Sequence, residues 1–209
     1  MHILSTEQRT QKIYLVRHGR PELPHERMYY GRTDYPLSEK GVSQALALGD
    51  ALKDKTFAHA YSSPLSRARE TMRLVSPDFA GEVVCVPELG EIDLGEWEGK
   101  TFDEVRDQWN EIFEARGKDF AHTAPPGGES FAMLQQRTVP AFEKILADCP
   151  EGDILIVAHG GVIWTLMCRY FGFDLNNIFY YLMDYCGVNV LQLTDNIMRL
   201  AKYNWSPEI

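Results

Sequence analysis

Two histidines in this chain each follow an apolar run of the kind that forms a buried strand. The apolar residues 13–16 lead into Arg17 and His18, and the apolar residues 154–158 lead into His159. Because ligands of open α/β sheets bind outside the carboxyl ends of the strands, we expect the two imidazoles to share one crevice. An imidazole can act as a nucleophile or a proton donor, and a guanidinium binds oxyanions. These residue types therefore indicate a site for phosphoryl transfer.

The remaining pattern alternates strand candidates with amphipathic helical segments. It predicts an α/β fold of three layers, in which helices flank a central, mostly parallel sheet. Two late strand candidates joined by Asp195 and Asn196 are expected to form a hairpin at one edge. Ser38 is a predicted N-cap, Pro64 is expected in the first turn of a helix, and Pro140 is expected to kink or interrupt another helix.

The length of the chain predicts a single domain. Its 209 residues are enough to bury a sizeable core. The stretch at about 94–130 differs in texture, with tryptophans and phenylalanines among many charges. We expect it to be a cap-like insertion over the site, and we expect this insertion and the loop 20–36 to set the choice of substrate.

The charge of the chain limits its partners. It carries 21 Lys and Arg against 30 Asp and Glu, a net charge of −9, which is a poor footprint for nucleic acid. An anionic substrate must therefore be held by local positive charge. Four widely spaced cysteines predict free thiols, and the polar first dozen residues lack an apolar signal core. The expected location is the cytoplasm, with no membrane partner.

Several other kinds of catalytic site do not fit the sequence. The stretch 95–101 lacks the first glycine of a phosphate-binding loop, and no G-x-G-x-x-G follows a strand. No cysteine has the arginine six residues later that a cysteine phosphatase needs, and the six histidines form no close ligand pair. No metal and no cofactor are therefore expected.

A set of short motifs occurs in a characteristic order along the chain. The set comprises Arg17-His18-Gly19, the stretches 30–38, 62–71 and 89–99, Pro126-Gly127-Gly128-Glu129-Ser130, and His159-Gly160-Gly161-Val162. In this order the motifs closely resemble the histidine phosphatase superfamily, also called phosphoglycerate mutase-like. The resemblance extends over about residues 12–200, nearly the whole chain.

The resemblance implies a catalytic role for three residues. His18 would be the nucleophile that forms a phosphohistidine, which water then hydrolyses. Glu91 would protonate the leaving alkoxide and later activate water. Its spacing from Leu89 favours it over the other glutamates of the acidic stretch 88–98. His159, expected to be protonated, would donate to the phosphoryl oxygens.

The resemblance also implies a set of substrate-binding residues. Arg17 and Arg67 would bind phosphate oxygens with their guanidinium forks, and Gly160 would contact the substrate beside His159. Arg67 shares a predicted helix with two other arginines, so a solvated helix face is the alternative. Many family members have an asparagine after the Arg-His-Gly motif that this chain lacks. Arg20 is a candidate replacement, and with Arg32 it hints at a substrate with a second anionic group.

Three functions remain open on the sequence alone. The first is a metal-independent phosphomonoester hydrolase acting on a small phosphorylated metabolite, with the α-ribazole 5′-phosphate phosphatase-like branch as the best match. The second is a phosphoglycerate mutase or a sugar-bisphosphate phosphatase of the same fold. The third is a non-catalytic phosphate-binding protein, which the presence of all five expected site residues argues against. The oligomeric state is undetermined, with a homodimer as one alternative.

Overall fold

The computed structural model of the protein describes residues 10–207, so most of the polar N-terminal segment lies outside the described residues. Strands and helices alternate along the chain. They are β1 (Thr10–Arg17), α1 (Glu39–Leu52), β2 (His59–Ser62), α2 (Ser66–Val75), β3 (Val83–Cys85), α3 (Phe102–Gln108), α4 (Asn110–Lys118), α5 (Phe131–Asp148), β4 (Ile154–Ala158), α6 (Gly160–Phe171), β5 (Val188–Thr194) and β6 (Ile197–Trp205). Within the described range, no helix is long and apolar enough to cross a membrane.

The strands form one six-stranded sheet, which confirms the predicted fold class. The strand order is β3-β2-β4-β1-β5-β6, in which β3, β2, β4 and β1 are parallel. The last two strands run antiparallel as an edge hairpin, as predicted. Asp195 and Asn196 turn the chain with φ angles of 49° and 65°, which a tight hairpin turn requires.

Both faces of the sheet are covered, which gives the three layers. Along β1, Ile13 and Leu15 belong to the apolar core on one face, whereas Tyr14 and Val16 belong to the core on the other. This alternation follows from the two-residue period of a strand. The first core includes side chains of α5 and α6, and the second includes side chains of α1 and α2. A strand buried on both faces reads as a continuous apolar run, as this one does.

Local signals at the helix ends were only partly predictive. The Ser38 side chain accepts from the Gly41 N–H, which confirms the predicted N-cap. The expectation for Pro64 is wrong by two residues, since α2 begins at Ser66. Pro140 lies inside α5 without interrupting it. Its position is exposed, so water can take the carbonyl that loses its helical donor.

Candidate active site

Three parallel strands end at the same edge of the sheet and bring the predicted residues together. Arg17 pairs with Ala158 in the register of β1 and β4, so His18 and His159 follow at the same level. Their ring centroids are 5.0 Å apart, and both residues are buried. The end of β2 leads into Ser63, also buried. The expected shared crevice is therefore present.

The hydrogen bonds of His18 fix which ring nitrogen is free to attack. Its Nδ1 lies 2.7 Å from the Gly19 carbonyl oxygen, which only accepts, so Nδ1 carries the proton. Its Nε2 lies 3.3 Å from Nε of Arg67, which only donates, so Nε2 presents a lone pair. Burial, followed by the charges of Arg67 and Arg17, holds the pKa of His18 well below its ordinary value of 6.5. The ring is therefore neutral and nucleophilic.

A close backbone approach keeps the Gly19 carbonyl in place. A Cβ on Gly19 would lie 2.5 Å from the Gly41 carbonyl oxygen at the start of α1, so a side chain does not fit. The Gly19 N–H donates to the Thr71 hydroxyl at 2.9 Å. The glycine of the Arg-His-Gly motif thus allows α1 and α2 to fix the acceptor that orients His18.

Arg67 is buried at the centre of the site rather than on a solvated helix face. Its side chain is 0% exposed, and its Nη1 and Nη2 donate to the carbonyls of Thr33 and Gly31 at 2.9 and 2.6 Å. The carboxylate of Asp34 lies 3.8 Å from Nη1. With both terminal nitrogens anchored, Nε faces His18 in a defined orientation. We call Arg17, His18, Arg67 and His159 the phosphate floor.

Glu98, one of the rejected acidic candidates, organises the loop that anchors Arg67. Its carboxylate accepts from the backbone N–H groups of Gly31, Arg32 and Thr33 at 2.8 to 3.1 Å, and from the Thr33 hydroxyl at 2.6 Å. Although burial opposes ionisation, these hydrogen bonds hold the pKa of Glu98 below 4.5. Sequence reasoning missed this role, although the residue lies in the quoted stretch 89–99.

Arg17 is held by contacts that sequence reasoning also missed. Its Nη1 donates to the Met183 carbonyl, and its guanidinium carbon lies 3.9 Å from the centre of the Tyr185 ring. Its Nε is buried and has no hydrogen-bond partner among the described residues. The Tyr185 hydroxyl lies 2.6 Å from that of Tyr30, and the Tyr30 ring lies 5.6 Å from the guanidinium of Arg67. Burial, then Tyr185, raises the pKa of Tyr30, which keeps its hydroxyl neutral.

His159 differs from expectation in its charge. Burial first, then the neighbouring His18 ring and the charges of Arg67 and Arg17, lowers its pKa well below 6.5, so the protein groups alone favour the neutral ring. Its Nε2 lies 2.7 Å from the Ser63 hydroxyl, which has no other acceptor among the described hydrogen bonds. The hydroxyl therefore donates to Nε2, and the proton lies on Nδ1, which is buried and unpaired. A neutral His159 still offers a donor, and a bound anion would favour its protonation.

Glu91 lies against the N-terminus of α6. Its Oε2 accepts from the Gly161 N–H at 3.2 Å, and its Oε1 accepts from the Ile92 N–H at 2.9 Å. A Cβ on Gly161 would lie 2.5 Å from Oε1, so the second glycine of the His159 motif allows this approach. These contacts hold the Glu91 carboxyl group at the surface of the cavity that His18 also lines.

Arg137 of α5 fixes the segment that carries Glu91. Its terminal nitrogens donate to the carbonyls of Glu88, Gly90 and Glu91 at 2.5 to 2.9 Å. Its Nε forms an ion pair with Glu129 at 2.8 Å. No motif marked Arg137, because an arginine on an amphipathic helix is indistinguishable from a solvated one in sequence.

A cavity of about 480 Å³ opens onto these residues, and it is lined by Arg17, His18, Tyr30, Glu91, Ile92, Phe131, Gly160, Gly161, Trp164, Ile178, Tyr181, Leu182, Met183 and Asp184. The predicted contact of Gly160 is therefore at the cavity surface. None of these lining residues belongs to the stretch 94–130, so the expected cap-like insertion stays a prediction. Ile178 and residues 181–184 line the mouth of the cavity. A groove of about 810 Å³ between the C-terminal ends of α1 and α2 contains none of the predicted residues.

The two extra arginines, Arg20 and Arg32, do not line this cavity. Arg20 is exposed and does not line the cavity, so the suggestion that it replaces the missing asparagine receives no support. Arg32 is half-exposed and lies 3.7 Å from the carboxylates of Asp93 and Glu129. Its charge is directed toward these acids because they lie beside the loop that Glu98 fixes. Within residues 10–207, no cluster of His, Cys, Asp and Glu could hold a metal ion.

Comparison with known proteins agrees with this geometry. The family model described as histidine phosphatase superfamily (branch 1) matches residues 13–206. A 2,3-bisphosphoglycerate-dependent phosphoglycerate mutase of Parvibaculum lavamentivorans is 36% identical, over 75% of this chain and 78% of that protein. An adenosylcobalamin/alpha-ribazole phosphatase of Escherichia coli is 30% identical, over 83% of this chain and 85% of that protein.

The fold is shared with solved structures of the same kind. The crystal structure of the alpha-ribazole phosphatase from Shigella flexneri superposes with a TM-score of 0.86 at 28% identity, covering 95% of this chain and 98% of that one. The chain therefore belongs to the histidine phosphatase superfamily, and its relatives support a phosphatase.

Proposed function

We propose that this member of the histidine phosphatase superfamily hydrolyses phosphate monoesters of a small metabolite through a phosphohistidine at His18. The observation that carries the proposal is the orientation of the His18 ring. Its proton is held at Nδ1 by the Gly19 carbonyl, and its Nε2 lone pair lies beside the Arg67 guanidinium. Such an arrangement is required of a nucleophile that attacks an anionic phosphoryl group.

In the first step, Nε2 of His18 forms a bond to phosphorus while the bond between phosphorus and the ester oxygen breaks. Nε of Arg17 and Nδ1–H of His159, both buried without partners among the described residues, supply donors for the phosphoryl oxygens. Arg67 supplies a third donor, because its Nε can turn from Nε2 of His18, which lies 3.3 Å away, to a phosphoryl oxygen. Glu91, in its protonated form, gives its proton to the leaving alkoxide.

In the second step, water attacks phosphorus and the bond between phosphorus and Nε2 breaks. The Glu91 carboxylate takes a proton from this water, which restores the acid for the next cycle. The neutral His18 ring and inorganic phosphate are released. Both steps use charges that the protein supplies, and the His18 proton remains on Nδ1 throughout.

The preferred substrate within this proposal is α-ribazole 5′-phosphate. Two relatives whose names contain alpha-ribazole phosphatase support it, one by sequence and one by fold over 95% of this chain. A mutase is the second candidate, supported by the 36% identical relative named as a phosphoglycerate mutase. The lining of the cavity argues against it, because Arg20 and Arg32, the cations expected for a second phosphate, do not line it. The cytoplasmic location and the single domain with an insertion remain predictions.

The test is hydrolysis of a panel of phosphate monoesters with EDTA present. The panel contains α-ribazole 5′-phosphate, 3-phosphoglycerate, phosphoserine and fructose 2,6-bisphosphate, and each ester is also given to His18→Ala protein. We expect turnover that survives EDTA, is fastest on α-ribazole 5′-phosphate and is lost with His18. Turnover that persists without His18, or that is lost on chelation, would overturn the mechanism. Exchange of phosphate between glycerate positions, primed by bisphosphoglycerate, would favour the mutase.

A further inference from the structure

Beyond the phosphate floor, the cavity has an aromatic and aliphatic surface. Three aromatic rings stack in this part of the molecule. The Tyr181 ring lies 4.8 Å from that of Phe173 with an angle of 17° between their planes, and 4.8 Å from that of Trp164. Trp164 and Phe173 are stacked at 5.8 Å. We call Trp164, Phe173 and Tyr181 the aromatic wall.

The aromatic wall is a fixed surface that presents Tyr181 to the cavity. Trp164 projects from α6, is 1% exposed and belongs to the core beside the sheet. Tyr181 is held against it, although Tyr181 lies outside any helix or strand. Because Tyr181 is 36% exposed and lines the cavity, it is the member of the wall on which a bound group can pack.

The mouth of the cavity exposes further apolar side chains. Leu182 lines the cavity and is 71% exposed, and the adjacent Tyr180 is 83% exposed. Of the three consecutive exposed side chains at 180–182, Tyr181 and Leu182 line the cavity. Contiguous exposed apolar surface of this kind marks a place where an apolar group binds.

The charges of the cavity lining favour an uncharged substrate body. Apart from Arg17, the charged side chains that line it are Glu91 and Asp184, both acidic. Arg32, which could have received a second anion, is directed to Asp93 and Glu129. A carboxylate or second phosphate on the substrate would therefore face acidic side chains without a cation to balance it.

We infer that the site selects phosphate monoesters whose alcohol carries a flat, uncharged aromatic group, which packs on Tyr181 and Leu182 while the phosphoryl group lies at the floor. The inference rests on the proposed function and adds a substrate class to it. Transfer of such a group from water to an apolar surface supplies the selectivity.

The first test compares three esters of primary alcohols that are similar leaving groups: phenylpropyl phosphate, butyl phosphate and the phosphate ester of hydroxybutyrate. We expect kcat/KM to be about tenfold or more higher for the phenyl ester than for the butyl ester, and lowest for the carboxylate. Equal values for the three esters, or a preference for the carboxylate, would overturn the inference. Because the leaving groups match, the comparison reports binding of the alcohol rather than its departure.

Binding of the corresponding phosphonates, which cannot be hydrolysed, separates this inference from the proposed function. Calorimetry should give the same order of affinity whether or not the protein turns over any ester. Ordered affinities without turnover would defeat only the hydrolase proposal. Turnover with equal affinities would defeat only the substrate class.

Two variants locate the selectivity. Tyr181→Ala should reduce the ratio of phenyl to butyl kcat/KM by about fivefold, as expected for loss of an aromatic contact. Leu182→Ser should reduce this ratio by a smaller factor. Because Leu182 is 71% exposed, this substitution should not disturb the fold. Leu46→Ser, at an exposed apolar position on α1 outside the cavity, is the matched control and should leave the ratio unchanged. If neither Tyr181→Ala nor Leu182→Ser changed the ratio, the inference would be wrong.

Discussion

The phosphate floor and the aromatic wall are built in different ways. The floor combines the ends of two parallel strands with Arg67 of α2, its members are buried or half-buried, and backbone or side-chain partners fix their orientation. The wall combines one helix residue with the irregular segment around Tyr181, and its entrance is exposed and apolar. From this difference we infer that the floor determines which bond is broken and that the wall determines which alcohol is accepted.

The largest difference should appear when the nucleophile is removed. His18→Ala should lower kcat/KM by about 10⁴-fold or more for every ester, because no other group forms the phosphoryl bond. A wall variant should change only the ratio between esters. Steady-state kinetics on the phenyl and butyl esters measures both effects. His122→Ala, at an exposed histidine, is the matched control, and a loss of activity there would mean that histidine removal acts through folding.

Loss of the central arginine should be nearly as severe. Arg67→Ala removes a donor to the phosphoryl group and leaves the carbonyls of Gly31 and Thr33 without their partner. We expect kcat/KM to fall by about 10²–10³-fold and the melting temperature to drop. Arg69→Ala, on the exposed face of the same helix, should change neither. Equal effects of the two substitutions would contradict a phosphate-binding role for Arg67.

The acid role of Glu91 should depend on the leaving group. Glu91→Gln should lower kcat for hydrolysis of butyl phosphate by about 10²-fold or more, since the departing alkoxide needs a proton. p-Nitrophenyl phosphate should be much less affected, because its leaving group is stable as an anion. Glu96→Gln, at an exposed position in the same acidic stretch, is the control and should change neither rate. Similar losses on both substrates would place the acid elsewhere.

The two tyrosines join the floor to the loops above it, and their effect should be smaller. Tyr30→Phe removes the hydroxyl that lies 2.6 Å from Tyr185, while its ring can still face Arg67. We expect KM to rise about fivefold with kcat little changed, because a single neutral hydrogen bond is worth about 1 kcal/mol. Tyr35→Phe, in the same loop, is the control. An unchanged KM for Tyr30→Phe would mean that the pair does not position the arginines.

The smallest effect should be on stability and should follow pH. Burial holds the pKa values of His18 and His159 well below 6.5 in the folded protein. An unfolded chain takes up these protons near 6.5, so the free energy of unfolding should fall as the pH drops below that value. Urea unfolding at a series of pH values measures the slope, which His18→Gln should reduce and His122→Gln should not. Stability that rises on acidification would contradict the buried neutral rings.

The floor could be predicted from sequence because each member lies within a short motif, with Arg17, His18 and His159 at strand ends and Arg67 in the first turn of α2. The apolar runs before His18 and His159 predicted parallel neighbours, and the sheet register places their ends together. The lowered pKa of His159 could not be predicted, because it depends on burial and on the neighbouring arginines Arg67 and Arg17. Likewise, nothing in the helical pattern distinguished Arg137, whose partners are backbone carbonyls distant in sequence.

The wall was missed for a different physical reason. The sequence of residues 178–184 shows neither the two-residue period of a strand nor the 3.6-residue period of a helix. It therefore does not predict which way the apolar side chains of this segment face. The aromatic stretch at 94–130 gave a stronger signal in the sequence, although its Trp97 is fully buried in the core. Side chains in irregular segments are placed by tertiary contacts, here with Trp164 and Phe173. The choice of substrate is therefore the part of the account that sequence predicted least.

The most direct test of the central claim is to locate the phosphoryl group on the protein during turnover. An alkaline quench in the steady state, which preserves phosphohistidine, is followed by peptide mass spectrometry of wild-type and His18→Ala protein. We predict one phosphoryl group on the peptide that contains His18 in the wild type, and none in the variant. A phosphoryl group on His159 or on any other residue in the wild type would contradict His18 as the nucleophile.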